Sequence, residues 1–211
     1  MAAFILLPAY HGIMATAAGD MAIPKGTWYG NIFVMLRQLL VFTKPITNQI
    51  FDGGVNLYCG MLAVLTMFLY LFVKEHPWKK FRKYVLLVLL VISFNHGTLN
   101  YIWHGMHDQY GIPNRFSFVF IFVLLVMAYD AVQSITEIDI YFVISSILLA
   151  GAFAFACKQQ AGATIGKYTL PASLVLLVIY GVTCCLRTSK KITHATYISV
   201  IGSVCLVELV A

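Results

Sequence analysis

The sequence predicts an all-α, polytopic bundle of transmembrane helices. Of the 211 residues, 61% are hydrophobic and only 10% are charged, which is more apolar surface than one soluble core can bury. The apolar residues also occur in long runs, and shorter stretches that contain lysine, arginine, glycine or proline separate them. A helix needs roughly 20 mainly apolar residues to cross the hydrocarbon layer of a membrane. Composition and run length together favour an integral membrane protein with several spans.

About seven apolar runs qualify as transmembrane helices once their semi-polar flanks are included. Residues 1–18 form a partial first span, and the other runs are 57–73, 84–95, 116–129, 140–156, 170–186 and 195–210. The first run has no basic region ahead of it and no obvious small-residue cleavage site, so we do not interpret it as a signal peptide. Both ends of the sequence lie inside apolar runs. We therefore expect residues 1–211 to be a transmembrane segment of a larger protein.

Lysine and arginine predict the orientation of these spans. Residues 74–83 contain five basic side chains and one acid, and residues 187–191 contain three basic side chains and no acid. The positive-inside rule places both turns in the cytoplasm, so that residues 19–56, 95–115 and 157–168 fall outside. The net charge of +6 is then mostly a topology signal, with some attraction to anionic lipid. No nucleic-acid partner is expected.

The connection at residues 20–56 is predicted to be an outer loop that contains an amphipathic helix. In WYGNIFVMLRQLLVF, residues 28–42, apolar side chains recur at helical spacing, namely Trp28, Ile32, Met35, Leu36 and Leu39. Such a helix lies on a leaflet or dips into it. The DGG turn at residues 52–54 ends this unit. A surface helix is the simpler interpretation, and a lid over a lipid substrate is the functional alternative.

The stretch NYIWHGMHDQYGIPNRFSF, residues 100–118, is unusually rich in polar and aromatic side chains for a connection. If the helix that begins near Tyr84 continues past Phe94, five polar residues fall on one of its faces: Ser93, His96, Asn100, His104 and His107. Polar groups in hydrocarbon need partners, so this stripe is expected to face other helices or a wet cavity. Pro113 ends the preceding backbone segment and leaves Arg115 at the start of the next helix.

Two kinds of site are compatible with this stretch. The guanidinium of Arg115 is a planar, permanently charged fork that matches phosphate oxygens, and a helix N-terminus adds partial positive charge. Arg115 is therefore predicted to bind a lipid phosphate, and a membrane-edge anchor is the structural alternative. The spacing His104-x-x-His107-Asp108 is a weak metal motif that needs a further histidine. We predict no metal and no cofactor, because an interhelical hydrogen-bond network also explains the histidines.

Four motifs resemble the bacterial YfhO family of multispanning membrane proteins, in the same order and spacing. They are GGVNLYCG at 53–60, KEHPWKKFRK at 74–83, LNYIWHG at 99–105 and PNRFSFVF at 113–120. The resemblance covers residues 1 to about 135, and only hydropathy remains beyond them. Members of this family are similar to GT-C glycosyltransferases. Such enzymes take a sugar from a polyprenyl-phosphate carrier on the outer face and transfer it to a cell-envelope polymer such as lipoteichoic acid.

The resemblance implies a multi-pass protein of the bacterial cytoplasmic membrane. Its partners would be a polyprenyl-phosphate-linked sugar, a cell-envelope polymer as acceptor, and the lipid bilayer. By the same resemblance, Arg115 would bind the carrier phosphate, and His104, Trp103 and Asn100 would form the wall of the substrate site. The polar stripe adds His96 to this predicted site. The catalytic residue itself stays unknown at this point.

The acid expected to act as catalytic base belongs to the first outer loop of the full family protein. Asp20 and Asp52 lie in an outer connection here, but neither matches that position, so we expect the isolated chain to be inactive. A transporter or flippase of a lipid-linked or anionic substrate is the alternative, in which Arg115 lines a path without chemistry. A structural subunit of a larger complex is a third hypothesis. Buried opposite charges would favour transport, and the acids within spans are Asp130 and Glu208.

Overall fold

The computed structural model describes residues 2–15, 25–46, 54–106, 114–161 and 166–210, and within these ranges the ordered elements are helical. The predicted all-α class is therefore confirmed. The α-helices are α1 (Ala2–Met14), α2 (Ile32–Leu36), α3 (Met61–Leu69), α4 (Pro77–Asn95), α5 (Gly97–Trp103), α6 (Ser117–Gln133), α7 (Ile140–Ala161), α8 (Thr169–Thr188) and α9 (His194–Val210). Short 3-10 helices at Arg37–Leu39, Tyr70–Phe72 and Ile135–Glu137 follow α2, α3 and α6.

The short helix α3 lies at the centre of the bundle. It packs against α6, α7 and α8, and the side chains of Leu65 and Leu69 are completely buried. Its sequence MLAVLTMFL is apolar on almost every side, which is the pattern of a helix that is surrounded by other helices. The extended residues 54–60 lead into α3, and Val55 and Leu57 are also fully buried. Non-helical backbone is tolerated at membrane depth where protein covers it.

The helices α7 and α8 have the length and the apolar composition needed to cross a membrane, over Ile140–Gln160 and Thr169–Thr188. Large apolar side chains such as Leu148 and Phe155 are exposed on the bundle surface, where lipid would cover them. Among the other described helices, α6, α9 and α3 with its 3-10 extension are apolar but shorter. These helices occupy positions where apolar runs predict spans. The full seven-span arrangement stays a prediction.

One end of the bundle collects the basic turns. The Lys83 ammonium lies 2.7 Å from a carboxylate oxygen of Asp130, which joins the start of α4 to the end of α6. The Thr188 hydroxyl donates to the carbonyl oxygen of Ile135 at 3.1 Å, which joins the end of α8 to the turn after α6. We call this the basic end, and it consists of residues 74–83, 134–139 and 187–193. Because Lys83 and Asp130 pair at this end, that charge pair lies away from the middle of the bundle.

The connections predicted to be outside meet at the opposite end. The Asn31 amide donates to the side-chain oxygen of Gln160 at 2.9 Å, so the start of α2 lies against the end of α7. The Thr169 hydroxyl lies 3.4 Å from the carbonyl oxygen of Phe42, which brings the start of α8 to the same place. The grouping of connections into two ends is the one that lysine and arginine predict, and which end is cytoplasmic stays a prediction.

The amphipathic segment 28–42 is shorter and more deeply buried than predicted. Only five of its residues form α2, a 3-10 turn follows, and Trp28 lies in extended chain ahead of the helix. The side chains of Met35 and Leu39 are buried, and α2 packs against α7. The segment therefore enters the bundle, and the prediction of a helix that starts at Trp28 was wrong. Burial against α7 rather than helical periodicity decides the position of this segment.

The predicted continuous helix through the polar stripe is broken at His96. α4 ends at Asn95, the backbone of His96 is extended with φ −120° and ψ 120°, and α5 starts at Gly97. The backbone groups freed by the break pair with another segment. The N–H of Tyr29 donates to Asn95 O, and the N–H of Gly97 donates to Thr27 O, both at 2.9 Å. The prediction of one straight polar face was wrong because these tertiary hydrogen bonds replace helical ones.

Candidate functional site

Two buried asparagines join α5 to the start of α6. The Asn100 amide donates to the side-chain oxygen of Asn114, whose own amide donates to Gly54 O at 2.7 Å. Both side chains are buried. Asn114 has a positive φ of 52°, a conformation that asparagine tolerates better than most residues. The turn directly ahead of Arg115 is therefore held from two sides, by α5 and by the segment that leads into α3.

An aromatic contact fixes the end of α5 on the start of α6. The Trp103 ring stacks on Phe116, with centroids 5.2 Å apart and planes at 13°, and the His104 ring meets Phe116 edge-on at 5.6 Å. Phe116 is buried and also packs against Phe94 of α4. Trp103 is 41% exposed, so part of its indole is accessible beside the site. Offset stacking of this kind adds rigidity beyond simple burial.

The His104 ring is oriented by the backbone of its own helix. Its Nδ1 lies 2.8 Å from the carbonyl oxygen of Asn100. A carbonyl oxygen only accepts, so Nδ1 carries the hydrogen and Nε2 is the basic nitrogen of the neutral ring. His104 is half-buried next to Phe116. The structure therefore brings Asn100, Trp103 and His104 to the start of α6, and their role in a substrate site stays a prediction.

Arg115 lies on the surface at the N-terminal end of α6. The helix begins at Ser117, two residues after Arg115, which confirms the predicted helix start. The N-cap residue Phe116 offers no side-chain acceptor to the first N–H groups of α6. A helix N-terminus carries partial positive charge, and the exposed residue Arg115 lies two positions ahead of it in the chain. This arrangement is chemically suited to an anion, and its phosphate role stays a prediction.

His96 lies apart from the other predicted site residues. Its Nδ1 accepts a 3.5 Å hydrogen bond from the N–H of Leu99 and so caps the start of α5, whereas Trp103 is at the other end of this helix. The His96 ring meets Trp28 edge-on with centroids 5.0 Å apart. A Cβ added at Gly26 would lie 3.3 Å from the same ring. These contacts give His96 a structural role in holding residues 25–30.

The structure leaves the metal question open. Among the described residues, no group of three or more histidine, cysteine, aspartate or glutamate side chains could hold a metal ion. His107 and Asp108, which complete the weak metal motif, lie outside the described residues, and so do Asp20 and Asp52. The expectation of no metal at this site therefore stays a prediction.

Of the two acids that the sequence places within spans, one is a buried carboxylate whose hydrogen bonds to α3 and α8 the sequence does not predict. Glu208 of α9 is only 6% exposed, and one of its oxygens accepts from the Tyr58 hydroxyl and from the N–H of Met61, both at 2.6 Å. Its other oxygen accepts from the Tyr180 hydroxyl at 2.7 Å. The carboxylate thereby caps the N-terminus of α3, which follows Gly60 with φ 98°. An acid inside an apolar run was the available sequence signal.

Two cavities flank these elements. An apolar cavity of about 420 Å³ lies between α2, α3, α4, α6 and α7, and the hydroxyl of Tyr84 on its wall donates to Met67 O at 2.7 Å. A second cavity, of about 350 Å³, lies between the segment after α2 and residues 54–60, and Tyr58 is part of its wall. The first suits a hydrocarbon chain, whereas the second has polar lining residues.

Comparison with known proteins gives one match. A family model described as bacterial membrane protein YfhO matches residues 1–211. The match extends past residue 135, where the motif resemblance ends. No curated protein and no solved structure matches the chain.

Proposed function

Because the chain belongs to the YfhO family of bacterial membrane proteins, we propose that it is part of a GT-C-like glycosyltransferase. The proposed reaction transfers a sugar from a polyprenyl-phosphate carrier to a cell-envelope polymer such as lipoteichoic acid. In this proposal the protein crosses the bacterial cytoplasmic membrane several times. The basic end faces the cytoplasm, and Arg115 faces outside, because lysine and arginine are retained on the inner side.

The observation that carries this proposal is the position of Arg115. It is exposed at the N-terminal end of α6, where the helix adds partial positive charge. The adjoining backbone is held by the Asn100–Asn114 pair, so the turn that carries Arg115 is fixed. A pre-positioned donor stabilises charge that develops on a leaving phosphate without reorganising during the reaction. Trp103, stacked and partly exposed beside this turn, adds an apolar wall to the site.

The apolar cavity supports a carrier with a hydrocarbon chain. Its walls come from α2, α3, α4, α6 and α7, and the Tyr84 hydroxyl on the wall has a protein acceptor. Because the lining is apolar, a cavity of this kind stays dry and takes apolar guests. In a lipid bilayer the available apolar guests are acyl and isoprenoid chains, and the proposed carrier contains an isoprenoid chain.

A transfer of this type requires three contributions. A carboxylate takes the proton of the acceptor hydroxyl, positive groups stabilise the leaving phosphate, and the site excludes water from the sugar. We assign the second contribution to Arg115, with His104 beside it. No residue of this chain is assigned as the catalytic base, so the reaction is tested in the full-length protein.

The test is sugar transfer by Arg115 variants. Arg115→Lys retains the charge but loses the two-pronged geometry, and Arg115→Ala loses both. Removing one partner of a charge-assisted pair in a partly dehydrated site costs about 2–4 kcal/mol, so Ala should slow transfer roughly 30- to 1000-fold and Lys by less. Transfer from a polyprenyl-phosphate donor is measured in membranes and normalised to the amount of folded protein.

Arg82→Ala is the matched control, because Arg82 is an exposed arginine at the basic end. We expect it to leave turnover unchanged. A membrane anchor behaves differently from a phosphate ligand: Lys would replace Arg115 with little loss, and Ala would lower expression more than turnover. Near wild-type turnover in Arg115→Ala would remove Arg115 from the site, and with it the physical basis of the proposal.

Transport of a lipid-linked or anionic substrate is the second candidate, and Glu208 is the observation that favours it. Ionisable groups inside a bundle often mark substrate or ion paths. Two observations speak against transport. Both oxygens of Glu208 already accept hydrogen bonds from the protein, and the Lys83–Asp130 pair lies at the basic end rather than along a path through the bundle. A transporter would move the lipid-linked sugar across proteoliposome membranes without breaking the sugar–phosphate bond, which the transfer assay distinguishes.

A further inference from the structure

The polar cavity of about 350 Å³ lies between the segment after α2, the non-helical residues 54–60 and α6, which contributes Ile121. Gln38, Thr43, Asn56 and Tyr58 supply its polar lining, and Phe42 supplies an aromatic ring. Phe42 is half-exposed, with a positive φ of 59° that turns the chain at this point. The cavity therefore combines hydrogen-bonding side chains with an apolar ring, which is typical of small-molecule sites.

The hydroxyl groups of the lining donate their hydrogens to the protein. The Tyr58 hydroxyl donates to Glu208 at 2.6 Å, and the Thr43 hydroxyl donates to Leu40 O at 2.8 Å. A hydroxyl has one hydrogen and two lone pairs, so both oxygens retain only acceptor capacity. A ligand that hydrogen-bonds with them has to supply the hydrogens.

The two amide side chains are fixed by the backbone. Asn56 accepts from the N–H of Ile46 at 2.8 Å and donates to its carbonyl oxygen at 3.0 Å, so it mainly shapes the wall. Gln38 donates one amide hydrogen to Lys44 O at 3.2 Å, which orients its side-chain oxygen as a further acceptor. Gln38 is buried in the protein, and it also lines the cavity.

Glu208 acts here as a positioning residue. Its carboxylate lies behind Tyr58 and holds the phenol through the 2.6 Å hydrogen bond, while Met61 N–H and Tyr180 hold the carboxylate. The phenol hydrogen is therefore directed away from the cavity. Without Glu208, the Tyr58 hydroxyl would be free to rotate and to donate into the cavity instead.

We propose that this cavity binds the hydroxyl groups of a carbohydrate, with Tyr58, Thr43 and Gln38 as acceptors and Phe42 against the apolar face of the sugar ring. Among the described residues that line it, none is acidic, so a neutral hydroxyl-rich ligand fits better than an ammonium headgroup. The identification of this ligand as a carbohydrate, rather than another polyol, rests on the glycosyltransferase function proposed above. Arg115 is not among the described residues that line this cavity.

The test is protection of a cysteine in the cavity from a thiol reagent. Pro45→Cys, at a lining position that is not one of the proposed acceptors, is placed in the full-length protein without its native cysteines. The protein is reconstituted in lipid nanodiscs and labelled with an impermeant maleimide. Glucose, galactose, N-acetylglucosamine and glycerol are the probes, and phosphoethanolamine represents the ammonium headgroup. Ser189→Cys, exposed at the basic end, is the matched control, and Ile121→Cys is a second reporter if Pro45→Cys does not purify as folded protein.

We expect at least one sugar to slow labelling at Pro45→Cys saturably, with no effect at Ser189→Cys. Tyr58→Phe keeps the ring and removes the acceptor, so it should raise the sugar concentration for half-protection about 3- to 10-fold. Four outcomes overturn the proposal. The reporter cysteine is not labelled, no sugar protects it, phosphoethanolamine protects it better than the sugars do, or Tyr58→Phe leaves the protection unchanged. Labelling does not depend on turnover, so the two proposals can fail separately. Protection by a sugar without sugar transfer supports this binding site and contradicts the glycosyltransferase proposal. Sugar transfer without protection supports the glycosyltransferase and contradicts this binding site.

Discussion

Replacing Glu208 tests whether one carboxylate holds the centre of the bundle together. Glu208→Ala leaves the Tyr58 hydroxyl, the Tyr180 hydroxyl and the N–H of Met61 without their acceptor. Glu208→Gln keeps the shape of the side chain and one acceptor oxygen. The contrast between the two variants separates the loss of buried hydrogen bonds from the loss of the carboxylate alone.

The magnitudes follow from the contacts. A buried donor left without a partner costs about 1–3 kcal/mol, so three of them cost about 3–7 kcal/mol once partial compensation is included. The compensation is at Tyr180, whose hydroxyl also lies 3.2 Å from the Cys205 sulfur. In Glu208→Gln the amide oxygen still accepts from Tyr58 and Met61, and the Tyr180 hydroxyl can rotate to accept from the amide. The expected cost of the Gln variant is about 0.5–2 kcal/mol.

The assay is the free energy of unfolding, measured by titration with a denaturing detergent and followed by tryptophan fluorescence. Glu137→Ala is the control, because Glu137 is an exposed acid in the turn after α6, and it should change stability by less than about 0.5 kcal/mol. If Glu208→Ala is as stable as this control, the buried network does not contribute to folding. If Gln and Ala destabilise equally, the acceptor-counting argument is wrong.

Two further predictions concern the turn before α6 and the orientation in the membrane. Asn114→Ala loses three buried hydrogen bonds, one of them long at 3.5 Å, and places alanine at φ 52°. It should destabilise by about 2–5 kcal/mol in the same titration, and Asn114→Gly should recover about 1 kcal/mol. Equal values for Ala and Gly would contradict the backbone part of this explanation. Single cysteines at Lys79 and at Gln109, which lies outside the described residues, should react with an impermeant maleimide from opposite sides of the membrane. Reaction from the same side would refute the orientation.

The outer helices of the bundle could be predicted closely from the sequence. The apolar runs at 140–156 and 170–186 correspond to α7, Ile140–Ala161, and α8, Thr169–Thr188. These helices expose much of their surface, and side chains in contact with lipid are stable there only if they are apolar, so the helices are apolar along nearly their whole length. The apolar run therefore predicts the position of the helix directly, and the prediction omits only the polar residues at the helix ends.

The breaks in the bundle could not be predicted in the same way. The helix is interrupted at His96 because the backbone of residues 25–30 forms hydrogen bonds with the backbone on either side of this residue. The sequence around His96 does not indicate that these distant residues are its partners. Gly97 was the available hint. A Cβ at this position would lie 3.4 Å from Lys25 O and from the Thr27 hydroxyl, so the two segments lie in close contact here and a larger side chain would not fit.

The sequence predicted which side chains carry the chemistry of the candidate site. It did not predict the tertiary contacts that hold these side chains in place. Pro113 and the guanidinium of Arg115 are local features, and they indicate a helix start with positive charge. The role of Asn114 is not local, because its amide bonds to Gly54 O, 60 residues earlier in the chain. Its side chain is needed there for a tertiary contact, which neither composition nor periodicity reveals.

The cap on α3 has a consequence for the order in which the protein is made. Met61 and the carboxylate that accepts its N–H are 147 residues apart in the chain. At a synthesis rate of roughly 5–20 residues per second, the ribosome needs about 7–30 s to make the intervening chain. During this interval the central helix is inserted before the Glu208 carboxylate is available to accept the N–H of Met61. The hydrogen bonds of the central helix are therefore completed only after α9 has been synthesised, although most of this helix is made long before.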